Sequence, residues 1–526
     1  MTRLLTIPDA VATRARLRPD KLGARDSRRA LTYRQWHERA SRLANALAGL
    51  GLDRGDRVAV LAYNRVEWLE IYVALARAGL VAVPINFRLV GPEILYILQH
   101  AEARAIVVQD SLAERLHGIR DQLDIPSERV DLLGDTTPPA GWSSYEAVVE
   151  RAAATAPDVA VRPDDPWAMM YTSGTTGRPK GAARSHAASA LLGLVSALDM
   201  GFTPDDVALL VMPLCHANSL FFASTFVGLG ATCVVDDSAS FDPERLLRTF
   251  AEHRVTFTSL VPTHYILMLA LPEAVRRAYD VRSVNRLLIS SAPARRDTKL
   301  AIMEAFANSR LFEMYGSTEA GWVTILRPDE QLTKLGSVGR ELTGTGPVRL
   351  LEPFGQDIPD GEIGELYSWT PYAFDGYWRD PERTAQAFQG AWCSVGDLAR
   401  RDADGFYHLV DRKSNMIISG GENVYPSEVE GVLSTHPDVQ DVAVIGVPHE
   451  VWGEAVHAVV VPRAGAAVTG AELIQWCRER MAGYKRPRSV AFISEADMPR
   501  TATGTILHRV LRARHPTSSC SGLRDP

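Results

Sequence analysis

Cysteine is scarce in this chain of 526 residues: there are five, Cys215, Cys233, Cys393, Cys477 and Cys520, odd in number, far apart and without a C-x-x-C pair. That pattern excludes a disulfide framework or a zinc cluster and points to a reducing compartment. A dominant charge is lacking too. Lys and Arg total 57 against 63 Asp and Glu, a net charge of −6, which argues against nucleic acid or an anionic membrane as the main partner. The opening residues, Met-Thr-Arg-Leu-Leu-Thr-Ile-Pro-Asp, hold no uninterrupted apolar run, so no signal peptide is expected and the cytoplasm is the expected location. Residues Val207 to Val235 lack Asp, Glu, Lys and Arg, but Pro213, His216, Asn218, Gly228 and Gly230 punctuate them. They read as strand, loop, helix, turn and strand rather than a membrane span. Internal repeats and long low-complexity tracts are also missing.

What is present is ordinary globular composition, 46% hydrophobic and 23% charged, in a chain long enough for more than one domain. Short aliphatic runs alternate with amphipathic segments: 57–62, 66–78, 81–85, 91–100 and 105–108, then 167–171 and a helical stretch near 187–198. This rhythm predicts parallel sheets with helices on both faces, which bind ligands where loops gather at the strands' C-terminal ends. At 411–415, Asp-Arg-Lys-Ser-Asn breaks the pattern. The helix signal at 427–433, strands at 439–447 and 455–461, helix at 471–481 and strand at 490–493 then predict a small α+β domain. Domains are accordingly expected at 1–410 and 416–513, with 514–526 a frayed tail.

The stretch 171–181, Tyr-Thr-Ser-Gly-Thr-Thr-Gly-Arg-Pro-Lys-Gly, has the parts needed to hold a polyphosphate. Gly174 and Gly177 free backbone N–H groups, Ser173, Thr175 and Thr176 add hydroxyl donors, and Lys180 adds positive charge. Its spacing is not that of the P-loop, and alone it is equally a solvated Ser/Thr/Gly connector. A second motif, Tyr315-Gly316-Ser317-Thr318-Glu319, offers a stacking ring, a close approach, hydroxyls and a carboxylate for Mg²⁺. The bland reading is a helix N-cap with Glu in the first turn. A third, 392–397, ends in Asp397, a candidate acceptor for ribose hydroxyls or a satisfied turn carboxylate. A fourth joins Asp411-Arg412 to the glycine turn 419–423. Each is weak singly; their order and spacing carry the case.

In that order and spacing the chain resembles the adenylate-forming superfamily of acyl-CoA synthetases, nonribosomal-peptide adenylation domains and luciferases. The resemblance runs from Leu31-Thr32-Tyr33 through Gly55-Asp56-Arg57-Val58 to Gly504. Phe374-Asp375-Gly376-Tyr377-Trp378, Gly405-Phe406 and Pro426-Ser427-Glu428-Val429-Glu430 are similar to the acyl-CoA synthetase branch. It implies an α/β fold: a large N-terminal domain of doubly wound parallel sheets plus a smaller β region, hinged at 411–415 to the small α+β domain. It further implies that 172–180 wraps the β- and γ-phosphates of ATP, and that Ala292-Pro293 and Tyr315 flank adenine with Glu313 at its edge. Thr318 would contact the α-phosphate, Glu319 would hold Mg²⁺, and Asp397 and Arg412 would bind ribose. His216 matches the residue near the acyl carboxylate, against the bland alternative of a core histidine. Gly420-Gly421 resembles the turn lining the pantetheine tunnel for CoA, and Ser414 stands where the family usually carries Asp or Lys at its hinge.

The resemblance also breaks near the end of the chain. In Pro499-Arg500-Thr501-Ala502-Thr503-Gly504-Thr505, the family carries a lysine after the glycine, bridging substrate carboxylate and α-phosphate. Thr505 supplies no such charge. Losing one preorganised electrostatic contact typically costs roughly 10²–10³ in rate, so slow adenylation with largely intact thioester formation is expected. Lys485 is a candidate substitute or CoA-phosphate contact, the bland reading being a solvated loop lysine. The acyl pocket is expected around 216–222, 261–264 (with Thr263), 290–292 (with Ser290) and Gly316, taking an uncharged aliphatic or aromatic acid. The expected activity is an ATP-dependent carboxylic acid–CoA ligase acting through an acyl-adenylate, with a homodimer compatible with it. The alternatives are an amide ligase that uses an amine in place of CoA, and an ATP-binding pseudoenzyme.

Overall fold

The computed structural model describes residues 6–172, 179–291, 294–419, 422–449, 451–478, 480–501 and 504–516. The chain divides into two compact units, one of residues 1–348 and 368–393, the other of 349–367 and 394–526.

The first unit is built on two large sheets. In one, Arg310–Ser317, Arg286–Ile289, Phe257–Leu260, Val207–Leu210, Thr232–Val235 and Leu22–Arg25 run parallel as neighbours. Antiparallel strands Gly321–Leu326 and Ala30–Thr32 flank them. In the other, Pro166–Thr172, Val81–Ile85, Arg57–Leu61, Ala103–Gln109 and Val130–Leu133 are parallel in that order. Central strands such as Val81–Ile85 are buried at every position, as parallel strands covered on both faces must be. The helix Glu67–Arg77 is likewise buried along its whole length, so no polar face could be spared. Its Glu67 is paired with Arg65 at 2.7 Å, and Glu70 with Arg39, as buried charges require. The uncharged segment resolves as Val207–Leu210, Ala217–Leu229 and Thr232–Val235, the helix closing on Gly230 at φ 77°. Among the described residues no helix is long and apolar enough to cross a membrane.

One strand escaped the sequence reading. Lys180–Ser185 turns back antiparallel on Pro166–Thr172, with Thr172 opposite Lys180, and itself pairs with the short strand Gly376–Tyr377. Its Lys-Gly-Ala-Ala-Arg-Ser composition has no β-branched residue, so only tertiary pairing makes it a strand. The stretch 171–181 therefore joins the arms of a hairpin rather than a strand to a helix.

The second unit holds a four-stranded antiparallel sheet of Arg349–Leu351, Ile363–Tyr367, Asp397–Arg401 and Tyr407–Arg412. A five-stranded sheet is built on the long hairpin Val439–His449 and Gly453–Pro462, with Ser489–Phe492 added in parallel. The helices Pro426–Leu433 and Gly470–Arg478 bury Val429, Leu433, Leu473 and Cys477 against it.

Candidate active site

Of the stretch expected to hold phosphate, the two ends are described. Ser173, Gly174, Thr175, Thr176 and Gly177 lie outside the described residues, whereas Thr172 and Lys180 stand opposite each other in the hairpin ladder. The exit is fixed by Tyr96, whose hydroxyl donates to the Pro179 carbonyl at 3.1 Å.

Glu319 reaches Thr172 from the other sheet. Tyr315 to Glu319 do not open a helix; they run from the strand Arg310–Ser317 into a tight turn before Gly321–Leu326. Ser317 Oγ accepts the Ala320 N–H at 2.9 Å and Gly321 takes φ 73°, so Ser317 is engaged in shaping the turn. Gly316 is required by space, because a Cβ there would lie 2.2 Å from the Gly321 carbonyl oxygen. The turn sets Glu319 in a buried position, 6% exposed. Its Oε1 accepts from the Tyr377 hydroxyl at 2.8 Å and from Thr172 Oγ1 at 3.2 Å. Its Oε2 accepts no hydrogen bond among the described residues. A carboxylate with one oxygen tethered and the other available offers the oxygen donor a hard cation prefers.

Tyr377 is a site residue the sequence reading missed as such. Its motif was noted, but nothing in the sequence pairs it with a carboxylate 58 positions away. Burial, with Glu319 adding to it, raises its hydroxyl far above the ordinary tyrosine range, so it remains a donor at any working pH. Lys180 places its ammonium 4.0 Å from the centre of the same ring, a cation–π contact. Thr172, Lys180, Glu319 and Tyr377 thus form one cluster.

On the proposed base side, Tyr315 is buried and Glu313 lies one pleat behind it, both in the strand Arg310–Ser317. Glu313 is ion-paired with Lys299, which is itself fully buried. Burial raises the Glu313 carboxyl and the ammonium opposes that rise. Lys299 is the second residue missed. Ala292 and Pro293 lie outside the described residues, and Thr318 is half-buried.

The expected acyl-side residues divide. His216 is the N-cap residue of the helix Ala217–Leu229, with a buried Nε2 that has no hydrogen-bond partner among the described residues. Burial, with Arg88 adding to it, pushes its pKa down to about 4, so the ring is neutral at pH 7. Two residues on, Asn218 donates to Ser259 Oγ at 3.0 Å and Ser290 Oγ at 2.7 Å. Ser290 is thus fixed by Asn218, a partner the sequence reading did not single out as a site residue. Thr263 is exposed on the first turn of the helix Pro262–Leu269.

In the second unit, Asp397 and Arg412 are direct cross-strand neighbours, ion-paired at 3.1 Å. The hinge candidate Ser414 is exposed, its carbonyl accepting from Arg512 at 2.8 Å. Thr505 is exposed in a tight turn in which its N–H donates to Thr501 Oγ1 at 3.1 Å and its carbonyl accepts the Thr501 N–H at 2.8 Å. Lys485 is not simply solvated: it pairs with Glu428 at 2.6 Å. Gly420 and Gly421 lie outside the described residues.

Residues 11–378 match the model of the AMP-binding enzyme family, and residues 428–505 that of the AMP-binding enzyme C-terminal domain. A feruloyl-CoA synthase from Amycolatopsis sp is 38% identical over 504 residues, 95% of this chain and 97% of that protein. An indoleacetate–CoA ligase from Aromatoleum aromaticum is 35% identical, with 94% of each chain covered. Among solved structures, an anthranilate CoA ligase in complex with anthranoyl-AMP is similar at a TM-score of 0.87 and 28% identity, over 98% of both chains. The o-succinylbenzoate CoA synthetase of Bacillus subtilis in complex with ATP and magnesium gives 0.83 and 28%, over 96% of this chain and 99% of that one. The chain belongs to the AMP-binding enzyme family, within its branch of AMP-forming acid–thiol ligases, enzymes that use ATP, Mg²⁺ and CoA.

Proposed function

We propose that this ligase activates an uncharged aromatic carboxylic acid as its acyl-adenylate and passes the acyl group to CoA, with the first half-reaction slowed by Thr505. The observation that carries the reading is the cluster of Thr172, Lys180, Glu319 and Tyr377 beside the hairpin loop. In this reading the hairpin amides and Lys180 grip the β- and γ-phosphates, and Glu319, fixed by Tyr377 and Thr172, offers its second oxygen to Mg²⁺. The ion, when bound, offsets phosphate charge as pyrophosphate departs. Tyr315 and Ala292-Pro293 hold adenine, Glu313 its edge, and Thr318 the α-phosphate. Asp397 and Arg412 take the ribose, while neutral His216 stands near the acyl carboxylate. The second half-reaction uses Gly420-Gly421 for the pantetheine arm after rotation of the 416–513 domain about Ser414.

Aromatic acids are favoured over aliphatic ones because the relatives named above act, by their names, on ferulate, indoleacetate and anthranilate. Thioester rather than amide formation is the reading because the same relatives are CoA ligases. The four described cysteines are free and buried, which suits the cytoplasm.

The test is pyrophosphate release with a panel of aromatic and aliphatic acids, for the parent and for Thr505→Lys, beside thioester formation from supplied acyl-adenylate. We expect Thr505→Lys to accelerate adenylation by roughly 10²-fold and to leave transfer from the adenylate within about twofold. Equal adenylation rates in parent and variant would refute the role given to position 505. No adenylation of any acid by either protein would favour the pseudoenzyme, and turnover only with free amines the amide ligase.

A further inference from the structure

Arg184 has no part in the reading above, yet it is among the most deeply buried side chains of the chain, at 0% exposure. It stands four residues after Lys180 on the same hairpin strand. Among the described residues no carboxylate lies within ion-pair distance of it; Asp375 and Glu319 act on it only at longer range. Burial lowers its pKa to about 10, so the guanidinium is still charged at pH 7. Taking a charge out of water without a counter-ion is costly, and a core that needed only volume would be served by an apolar residue. What the guanidinium does is satisfy backbone carbonyls. Nη1 donates to Thr318 O at 2.8 Å and to Glu319 O at 3.4 Å, and Nη2 donates to Tyr372 O at 2.6 Å. Its Cζ lies over the Phe221 ring, 4.8 Å from the ring centre.

Those carbonyls belong to two segments that meet nowhere in sequence. One is the turn carrying Glu319; the other is the stretch leading from Tyr372 to Tyr377. The Phe374 N–H also donates to the Glu319 carbonyl, at 2.7 Å. The side chains of these segments join at Glu319 Oε1, so the guanidinium clamps from behind the two backbones whose side chains form the cluster in front. A planar fork with several donors suits that task, and an ammonium does not.

We propose that Arg184 is a positioning residue for the Mg·ATP site, fixing the Thr318–Glu319 backbone and the 372–377 segment so that the Glu319 carboxylate is set before nucleotide arrives. The inference rests on the reading of Glu319 as the metal-binding carboxylate. It assigns Arg184 no contact with substrate.

The test uses the full chain and the variants Arg184→Gln, Arg184→Lys and Glu319→Gln. Mn²⁺ binding in the presence of a non-hydrolysable ATP analogue is measured by electron paramagnetic resonance, beside thermal midpoints and thioester formation from supplied acyl-adenylate. Partners that orient a metal ligand typically contribute roughly 10–100-fold in affinity. Arg184→Gln should weaken Mn²⁺ binding about tenfold and Arg184→Lys by less, with transfer from the adenylate within about twofold. Should the Gln variant not fold, the Lys variant, which keeps the charge but not the fork, carries the measurement. Normal Mn²⁺ binding by the Arg184 variants, with Glu319→Gln impaired, overturns the positioning role and leaves Glu319 in place. Normal binding by Glu319→Gln overturns the metal reading and the inference with it. Equal loss of metal binding, thioester transfer and thermal midpoint in the Arg184 variants reduces Arg184 to a structural residue and also overturns the proposal.

Discussion

Replacing Tyr377 by Phe removes one oxygen atom from the proposed nucleotide site and little else. The hydroxyl is buried and donates to Glu319 Oε1 at 2.8 Å. A hydrogen bond to a charged group contributes about 1.5–3 kcal/mol, but Thr172 Oγ1 remains at 3.2 Å on the same oxygen. If about half of the interaction is transmitted to metal binding, the loss is ~1.4 kcal/mol, or about tenfold. The ring stays, so the Lys180 contact at 4.0 Å is preserved. Tyr377→Leu removes that contact as well, a further ~1 kcal/mol or about fivefold. The assay is ATP–pyrophosphate exchange at varied Mg·ATP in the Thr505→Lys background, where adenylation is expected at full speed. We expect kcat/KM for Mg·ATP to fall about tenfold in the Phe variant and about fiftyfold in the Leu variant, with thioester formation from supplied adenylate unaffected. A Phe variant with parental kcat/KM would refute the argument. So would an equal fall in both half-reactions, since that would mean a general loosening of the fold.

Two further predictions concern buried charge. Lys299→Met strands Glu313 without its ammonium in a dry strand, and breaking such a pair costs about 3–5 kcal/mol; thermal denaturation should show a large drop that Lys299→Met/Glu313→Gln largely recovers. Asp131 is 3% exposed, and burial pushes its pKa up to about 7. The folded state therefore binds this proton more tightly than the unfolded chain, so the associated stability is complete below about pH 4 and is lost as pH rises through 7. Three units correspond to at most ~4 kcal/mol. Asp131→Asn should make the fall in thermal midpoint between pH 4 and 7 shallower, while Glu70, also raised to about 7 by burial, keeps part of it. An unchanged slope would refute the assignment to Asp131.

Much of the fold is legible in the sequence, for identifiable reasons. The runs 57–62 and 81–85 are too short and too aliphatic to be anything but buried strands, and the structure places strands at Arg57–Leu61 and Val81–Ile85. The helices after residue 425 follow from spaced Val and Leu. The strand Lys180–Ser185 is invisible because pairing, not propensity, creates it. Glu319 and Thr172 announce themselves as a carboxylate and a hydroxyl within motifs. Tyr377, Asn218, Lys299 and Arg184 do not, because their significance lies in partners 58, 41, 14 and 134 positions away. Spacing along the chain carries no signal for such pairs.

Strand geometry at Lys180–Ser185 has a consequence for how the protein tolerates change. Side chains alternate along an extended chain, so Lys180, Ala182 and Arg184 share one side of it. The ammonium over Tyr377 and the guanidinium behind Glu319 are thus phased by the same ladder. Removing one residue from 181–183 would put the two cations on opposite sides of the strand, so that one keeps its partners and the other is turned into the wrong layer. A residue added among 173–178 leaves that phase untouched but alters the loop proposed to wrap the phosphates, so length is constrained before and after Lys180 for separate reasons.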